Sequence, residues 1–313
     1  MIDLKAPEST RSDDTPAVRL PAADRHVAGR ARLTAADGLP LHYRTWNPVG
    51  RQTEASLLFL HGIASHGAWF AETAVHLADR GIAVYAPDRR GSGLSGGPRG
   101  HIASYEQALD DLDQFRSLAT EEHAGAPVFL AGSSWAAKLA IASAARNQTD
   151  LAGLILLGPG LIPKVDLTVR EKLAVLLYHR AQPQRELRIP LVPDDYTRNP
   201  AYLEYVRRDA YRLLTASSRF FWETGRLDRA RDRLAASLSL PILLQIGEAD
   251  QIMDARATSA WLQRLSAPDR TSIVYRSAAH TLDFEPEPTV RAYRADLLGW
   301  LRRQIRREPG HVR

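Results

Sequence analysis

From residue 29 onward the chain alternates two kinds of segment, and that alternation limits its architecture more than any other feature. Short, predominantly apolar runs fall at 55–60, 82–86, 128–131, 151–157 and 241–246, with a weaker one at 272–275. Longer amphipathic stretches lie at 68–80, 105–119, 135–145, 255–265 and 290–305. A strand without polar alternation is buried on both faces, as in a mostly parallel sheet, and amphipathic helices are what cover such a sheet. The expected class is therefore α/β. Ligands in such folds lie beyond the carboxyl ends of the strands.

The alternation breaks at residues 163–239. This segment is helix-rich, is interrupted at Pro190, Pro193 and Pro200, and carries the aromatic cluster Phe220, Phe221 and Trp222. It is too long for a loop within a compact domain, so a helical cap inserted over the sheet is expected. That divides the chain into a sheet domain at 29–162 and 240–313, a cap at 163–239, and a flexible polar arm at 1–28. The arm lacks the basic start and apolar centre of a signal peptide. The longest apolar run, 151–162, is broken by Gly158, Pro159 and Gly160 and is too short to cross a bilayer. A cytoplasmic protein is expected.

Composition removes several function classes. With no cysteine there is no thiol nucleophile, no Cys-ligated zinc and no disulfide scaffold. The 41 basic and 36 acidic residues are well mixed, and the densest basic run, Arg302, Arg303, Arg306 and Arg307, closes a helical pattern where cations complement the helix end. No nucleic-acid partner is expected. The histidines show no H-E-x-x-H spacing, so no metal is expected. The segment Gly91-Ser92-Gly93-Leu94-Ser95-Gly96 matches G-x-G-x-x-G, but that fingerprint requires the glycines to open a helix. Gly97, Pro98 and Gly100 follow instead, so the segment reads as a sharp turn and no cofactor is expected.

The chemistry concentrates where the apolar run 128–131 meets Gly132-Ser133-Ser134-Trp135-Ala136 and a helical pattern. A strand, a strained turn bearing serine and a helix form a nucleophile elbow, in which the positions two before and two after the nucleophile must be small. Ser134 satisfies this through Gly132 and Ala136. Ser133 would set Trp135 in the tight position, so Ser134 is the candidate nucleophile. A serine needs a base and a group that orients the base, and on this fold they follow in the order acid, then histidine. Asp250 follows the strand at 241–246 and His280 follows the strand at 272–275. The rival acids are weaker: Glu248 lies inside the turn and Asp254 reads as a helix N-cap. The oxyanion requires backbone donors. The candidates are the amides of Trp135, next after the nucleophile, and of Ile63, after the first apolar strand, with His61 as a structural side chain.

With these residues in place, the chain resembles the α/β-hydrolase superfamily, and within it the monoacylglycerol lipase and lysophospholipase-like (serine aminopeptidase S33-type) group. The resemblance covers about 29–306. His61-Gly62-Ile63-Ala64-Ser65-His66-Gly67 is similar to that group's oxyanion loop, and Asp88-Arg89-Arg90-Gly91-Ser92-Gly93-Leu94-Ser95 to its D-x-R-G-x-G-x-S turn. Arg99-Gly100-His101, with Tyr105 and Asp111, resembles its R-G-H segment. The resemblance implies an eight-stranded α/β-hydrolase sheet with an inserted helical cap, and an enzyme that cleaves carboxylic esters of acyl lipids through an acyl-enzyme. The implied partner is a small acyl ester, with at most peripheral lipid contact through the cap. Ala136 and Ala137 replace the group's paired glycines. Ser65 and Trp69 stand where monoacylglycerol lipases carry a glutamate and an arginine, so Ser65, His66 and Trp69 are the candidate substrate contacts, with the cap residues Val165, Leu167, Leu173, Val175, Leu176 and Leu177 lining an acyl tunnel, meeting lipid, or packing on the core. Two alternatives stay open. The same triad serves aminopeptidases (with Glu204, Asp209 or Glu223 as amine anchor), thioesterases and acyltransferases, and it also occurs in slow ligand receptors.

Overall fold

The computed structural model describes residues 29–307; the expected arm at 1–28 lies outside the described residues. In chain order the sheet domain runs β1 (Gly29–Thr34), β2 (Pro40–Trp46), β3 (Ala55–Leu60), α1 (Ala71–Ala78), β4 (Ile82–Pro87), α2 (Tyr105–Glu122), β5 (Val128–Ser133), α3 (Ala136–Arg146) and β6 (Gly153–Leu157). The inserted cap follows: α4 (Val169–Ala181), β7 (Glu186–Arg188), α5 (Pro193–Tyr196), α6 (Pro200–Arg208), β8 (Thr215–Ser217) and α7 (Ser218–Ala236). The chain then returns as β9 (Ile242–Gly247), α8 (Ala255–Gln263), β10 (Arg270–Tyr275) and α9 (Thr289–Ile305).

Eight strands form one sheet in the order β1-β2-β4-β3-β5-β6-β9-β10. The pairs β1–β2 and β2–β4 are antiparallel, and every other pair is parallel. Because successive side chains on a strand point to opposite faces, each central strand feeds two cores. Leu58, Leu60 and Leu130 join the layer that holds Leu112 and Phe115 of α2 and Leu139 of α3. Leu57, Phe59, Phe129 and Ala131 join the layer of α1 and of Tyr293, Leu297 and Trp300 from α9. Burial on both faces is the reason these strands lack polar alternation.

The cap begins with a capping box at α4. Glu171 N–H donates to Thr168 Oγ1 at 3.3 Å, and Thr168 N–H donates to Glu171 Oε2 at 2.8 Å, which satisfies orphan amides of the first turn. Helix α7 packs on α3 and α4, and β7 pairs with β8 as a short ribbon. Main-chain bonds tie the cap to loops beside the sheet, among them Leu213 N–H to Ala64 O at 2.9 Å, Ser217 N–H to Gly100 O at 2.9 Å and Thr281 N–H to Tyr196 O at 2.8 Å.

The dinucleotide-like glycine run is a loop that wraps a carboxylate of the protein itself. Asp88, fully buried, accepts from the amides of Gly67 (2.7 Å) and Leu94 (2.9 Å) and from Arg44 Nη1 (3.1 Å). Gly91 and Gly93 adopt φ of 70° and 52°, and a Cβ at Gly93 would lie 2.2 Å from the Asp88 carboxylate. Burial pushes the Asp88 pKa up, but the His42 hydrogen bond and the Arg44 charge outweigh it and hold the group far below the ordinary carboxylate range.

Candidate active site

Ser134 sits between the end of β5 and the start of α3 with φ of 52°, a left-handed conformation that costs a non-glycine residue roughly 1–2 kcal/mol. The turn is held by Ser134 N–H donating to Leu157 O (2.9 Å) and by Gly160 N–H donating to Ser134 O (2.8 Å). A Cβ at Gly132 would lie 2.7 Å from Ala136 O and 2.8 Å from both Ala137 Cα and Ala140 Cβ, so the crossing leaves no room for a side chain there. Ala136 and Ala137 themselves fit, both buried.

Beyond β9 and β10 the chain brings Asp250 and His280 together. His280 Nδ1 lies 2.7 Å from Asp250 Oδ2, and because an ionised carboxylate only accepts, Nδ1 carries the hydrogen and Nε2 is left with its lone pair. The other Asp250 oxygen accepts from the amides of Ile252 (2.8 Å) and Met253 (2.9 Å). Lys164 Nζ donates to the Asp250 carbonyl at 2.7 Å. The rival acids are placed elsewhere: Glu248 is exposed, and Asp254 Oδ1 accepts from Ala257 N–H (2.8 Å) as the N-cap of α8. The hydrogen bonds of the described residues include none between Ser134 and His280, but the two side chains line one cavity.

Gly62, next to Ile63, lies against Ser134: a Cβ there would be 3.1 Å from Ser134 Cβ and 3.6 Å from Ser134 Oγ. The amides of Ile63 and Trp135 donate to no acceptor among the described residues. His61 is a buried strut: Nε2 accepts from Arg89 N–H (2.9 Å), so Nδ1 donates to Gly62 O (2.8 Å). Burial, aided by the Arg89 charge, pulls its pKa down to about 3 and keeps it neutral.

Two cavities meet at Ser134. The smaller, about 20 Å3, is lined by Ser65, Trp69, Tyr196, His280, Thr281 and Asp283 among others. The larger, about 490 Å3, runs under the cap past Ile63 and Trp135, between Val165, Leu167, Val175, Leu176, Ile189 and Phe221. Leu173 and Leu177 of α4 do not line it, and both are largely exposed, at 54% and 60%, as is the cavity-lining Leu176 at 56%. Of the candidate substrate contacts, Ser65 and Trp69 reach the small cavity. His66 is turned to Asp209, which takes its Nε2 (3.1 Å) together with Trp69 Nε1–H (2.7 Å) and Tyr211 N–H (2.9 Å).

Two residues at the site carry no sequence signal of their own. Arg89 occupies the variable position of the D-x-R turn, yet its guanidinium reaches the Gly62 and Ile63 carbonyls. Asp283, three residues beyond His280, is half-buried beside the small cavity, where burial of its carboxyl pushes the pKa up to about 6 despite a 2.6 Å hydrogen bond from Thr73.

The sheet order, the elbow after β5 and the cap inserted after β6 define an α/β-hydrolase fold of the monoacylglycerol lipase-like group. The family model described as Serine aminopeptidase, S33 matches residues 51–287, and the chain belongs to that family. The chain is 30% identical to the monoglyceride lipase of Rattus norvegicus over 273 residues, covering 82% of this chain and 85% of that protein. Identity to the human monoglyceride lipase is 28% over 272 residues, with the same coverage. A solved soluble variant of the Saccharomyces cerevisiae monoglyceride lipase, in complex with a substrate analogue, shares the fold at a TM-score of 0.82 and 18% identity, over 90% of this chain and 97% of that one.

Proposed function

We propose that the protein is a serine hydrolase that cleaves carboxylic esters of acyl lipids, of monoacylglycerol or lysophospholipid type, through an acyl-enzyme. The observation that carries this reading is a strained, buried serine that shares one cavity with an Asp-oriented histidine and borders a second, mainly apolar cavity of about 490 Å3. Ser134 Oγ attacks the ester carbonyl while His280 Nε2 accepts its proton, and Asp250 holds the ring and stabilises the imidazolium. The Ile63 and Trp135 amides bind the oxyanion. As the tetrahedral intermediate collapses, His280 returns the proton to the departing alcohol oxygen and the acyl group stays on Ser134. Water, deprotonated by His280, then attacks the acyl-enzyme, and as this second tetrahedral intermediate collapses His280 returns the proton to Ser134 Oγ and the carboxylic acid leaves.

The same chemistry orients the substrate. A general acid must reach the leaving oxygen, so the alcohol lies on the His280 side, where the small cavity of about 20 Å3 has to widen to admit a glyceryl group. The large cavity, which holds both oxyanion amides and the apolar cap residues, takes a medium or long acyl chain. The relatives named monoglyceride lipase support an acylglycerol substrate. An aminopeptidase would need a free acid for the substrate amine, and the three candidates are already engaged: Glu204 with Arg208, Asp209 with His66 and Trp69, and Glu223 with Arg219 and Arg226. The ester reading therefore stands ahead.

A panel of nitrophenyl esters from acetyl to palmitoyl, 1-monoacylglycerols, lysophosphatidylcholine, and matched amides and thioesters tests it. Turnover of the esters with kcat/KM rising beyond the short acyl groups is expected. Amide turnover exceeding ester turnover, or labelling by an acylating probe without turnover of any ester, would overturn the reading in favour of a peptidase or a receptor.

A further inference from the structure

Arg89 is a charged residue that the reaction just described does not use, placed where its desolvation needs a reason. Its Nη1 donates to Gly62 O (3.4 Å), and its Nη2 to Ile63 O (3.2 Å) and Ser92 Oγ (2.9 Å). All of these acceptors are neutral. The guanidinium lies over the Trp135 ring at 4.8 Å and the Phe220 ring at 5.3 Å, and the enclosed Nε has no partner. Burial draws the pKa of the group down, as expected of a cation with no carboxylate in direct contact. A cation held in this way is a cost to folding, and such costs concentrate at functional sites.

The peptide geometry shows what the cost maintains. Gly62 C=O and Ile63 N–H belong to one planar trans peptide and point in opposite directions. The only cis bond among the described residues is Glu287–Pro288. Two donors pull on that carbonyl from one side, His61 Nδ1–H at 2.8 Å and Arg89 Nη1–H, so the Ile63 N–H is directed to the other side. A peptide whose carbonyl is bound by a cation is more polarised, and its N–H is a stronger donor. Arg89 also lies over the side chain of Trp135, whose amide is the second oxyanion donor. Trp135 in turn is gripped from the cap, through Nε1–H to Thr224 Oγ1 (2.9 Å) and Phe220 with ring centroids 4.7 Å apart.

We propose that Arg89 is a positioning residue for the oxyanion hole, aiming and polarising the Ile63 amide through the Gly62 carbonyl and coupling that loop to cap helix α7 through Trp135 and Phe220. This rests on the reading of Ile63 and Trp135 as oxyanion donors. Lysine replaces it poorly, because an ammonium lacks the planar fork that reaches two carbonyls from a position over two rings.

The test measures kcat, KM and the inhibition constant of an acyl trifluoromethyl ketone, which adds Ser134 as a tetrahedral oxyanion, in wild type, Arg89→Met, Arg89→Lys and the milder Ser92→Ala. Losing a whole oxyanion donor costs roughly 100- to 1000-fold, so losing its aim and polarisation is expected to cost about 10- to 30-fold in kcat for Arg89→Met. The ketone constant should weaken by the same factor while KM stays within about twofold. Arg89→Lys should recover a minor part. Ser92→Ala, which frees one corner of the guanidinium, should show a smaller loss in the same direction even if Arg89→Met fails to fold. A loss confined to KM, or kcat falling while ketone affinity holds in the folded variants, overturns the proposal. A wild type that binds no ketone and turns over no ester sinks the parent reading, and this one with it.

Discussion

Replacing Gly160 probes the oxyanion arrangement without touching the serine, the histidine or the aspartate. A Cβ at this position would lie 3.0 Å from Ser134 O, 3.1 Å from Ser134 C and 3.1 Å from Trp135 N. Three nearly equal distances set the added methyl over the face of the Ser134–Trp135 peptide, so relief requires that peptide to shift by a few tenths of an ångström. The peptide that shifts carries the Trp135 N–H. Gly160 lies outside the left-handed region of φ, so backbone strain adds nothing and the effect is steric. One oxyanion donor contributes about 3–4 kcal/mol to the barrier, roughly 100- to 1000-fold in kcat, and small misplacements forfeit a large share of such a contact. Gly160→Ala is expected to lose about 10-fold in kcat and Gly160→Val about 100-fold or more, with overpacking costing roughly 1–3 kcal/mol of stability. The assay is steady-state ester hydrolysis at saturating substrate, with thermal unfolding confirming a folded enzyme at the assay temperature. A folded valine variant that keeps kcat within about twofold would refute the assignment of the Trp135 amide.

Three further outcomes follow from the same geometry. Asp250→Asn should lower kcat by about 10⁴-fold, because an amide nitrogen facing His280 would favour the wrong tautomer; the measurement is kcat across pH, and a loss under tenfold contradicts the role. Asp283 has a folded pKa raised from 3.8 to about 6, so between those values the folded chain binds more protons than the unfolded one and stability falls as pH rises through that window. Asp283→Asn should remove that loss, gaining at most about 3 kcal/mol relative to wild type on moving from pH 4 to pH 7, and parallel urea-unfolding profiles for the two proteins would contradict it. Trp69 walls the small cavity on the proposed alcohol side and is anchored by Asp209. Trp69→Ala should therefore raise kcat/KM for glyceryl esters relative to methyl esters of the same acid, and an unchanged ratio would count against the assignment of that cavity.

What could be read from the residues alone follows from which physical constraints are local. The core strands declare themselves through runs such as 55–60 and 128–131, because burial on both faces demands apolar side chains regardless of what packs there. The elbow is equally local, since the crossing at Gly132 excludes any larger residue. The edge strand β1 was not legible, because it alternates half-buried Ala31 and Leu33 with exposed Arg30 and Arg32, a pattern that charged loops share. The three-residue ribbon strands β7 and β8 are too short to carry a period. The helix expected at 68–80 begins as a 3-10 turn, Gly67–Phe70, capped by His66, and Gly67 lies close to Ala86: a Cβ there would be 2.5 Å from Ala86 O. Arg89 and Asp283 derive their surroundings from segments far away in sequence, so no spacing rule points to them.

The central claim is that Ser134 is the nucleophile, and labelling with a fluorophosphonate tests it most directly. Wild type, Ser133→Ala and Ser134→Ala are treated with the probe, the modified peptide is mapped by mass spectrometry, and ester turnover is measured on the same samples. Wild type and Ser133→Ala should carry one label on Ser134, while Ser134→Ala carries none and loses kcat by on the order of 10⁴-fold or more. Equal labelling of Ser134→Ala, or a label mapped to Ser133, would contradict the account.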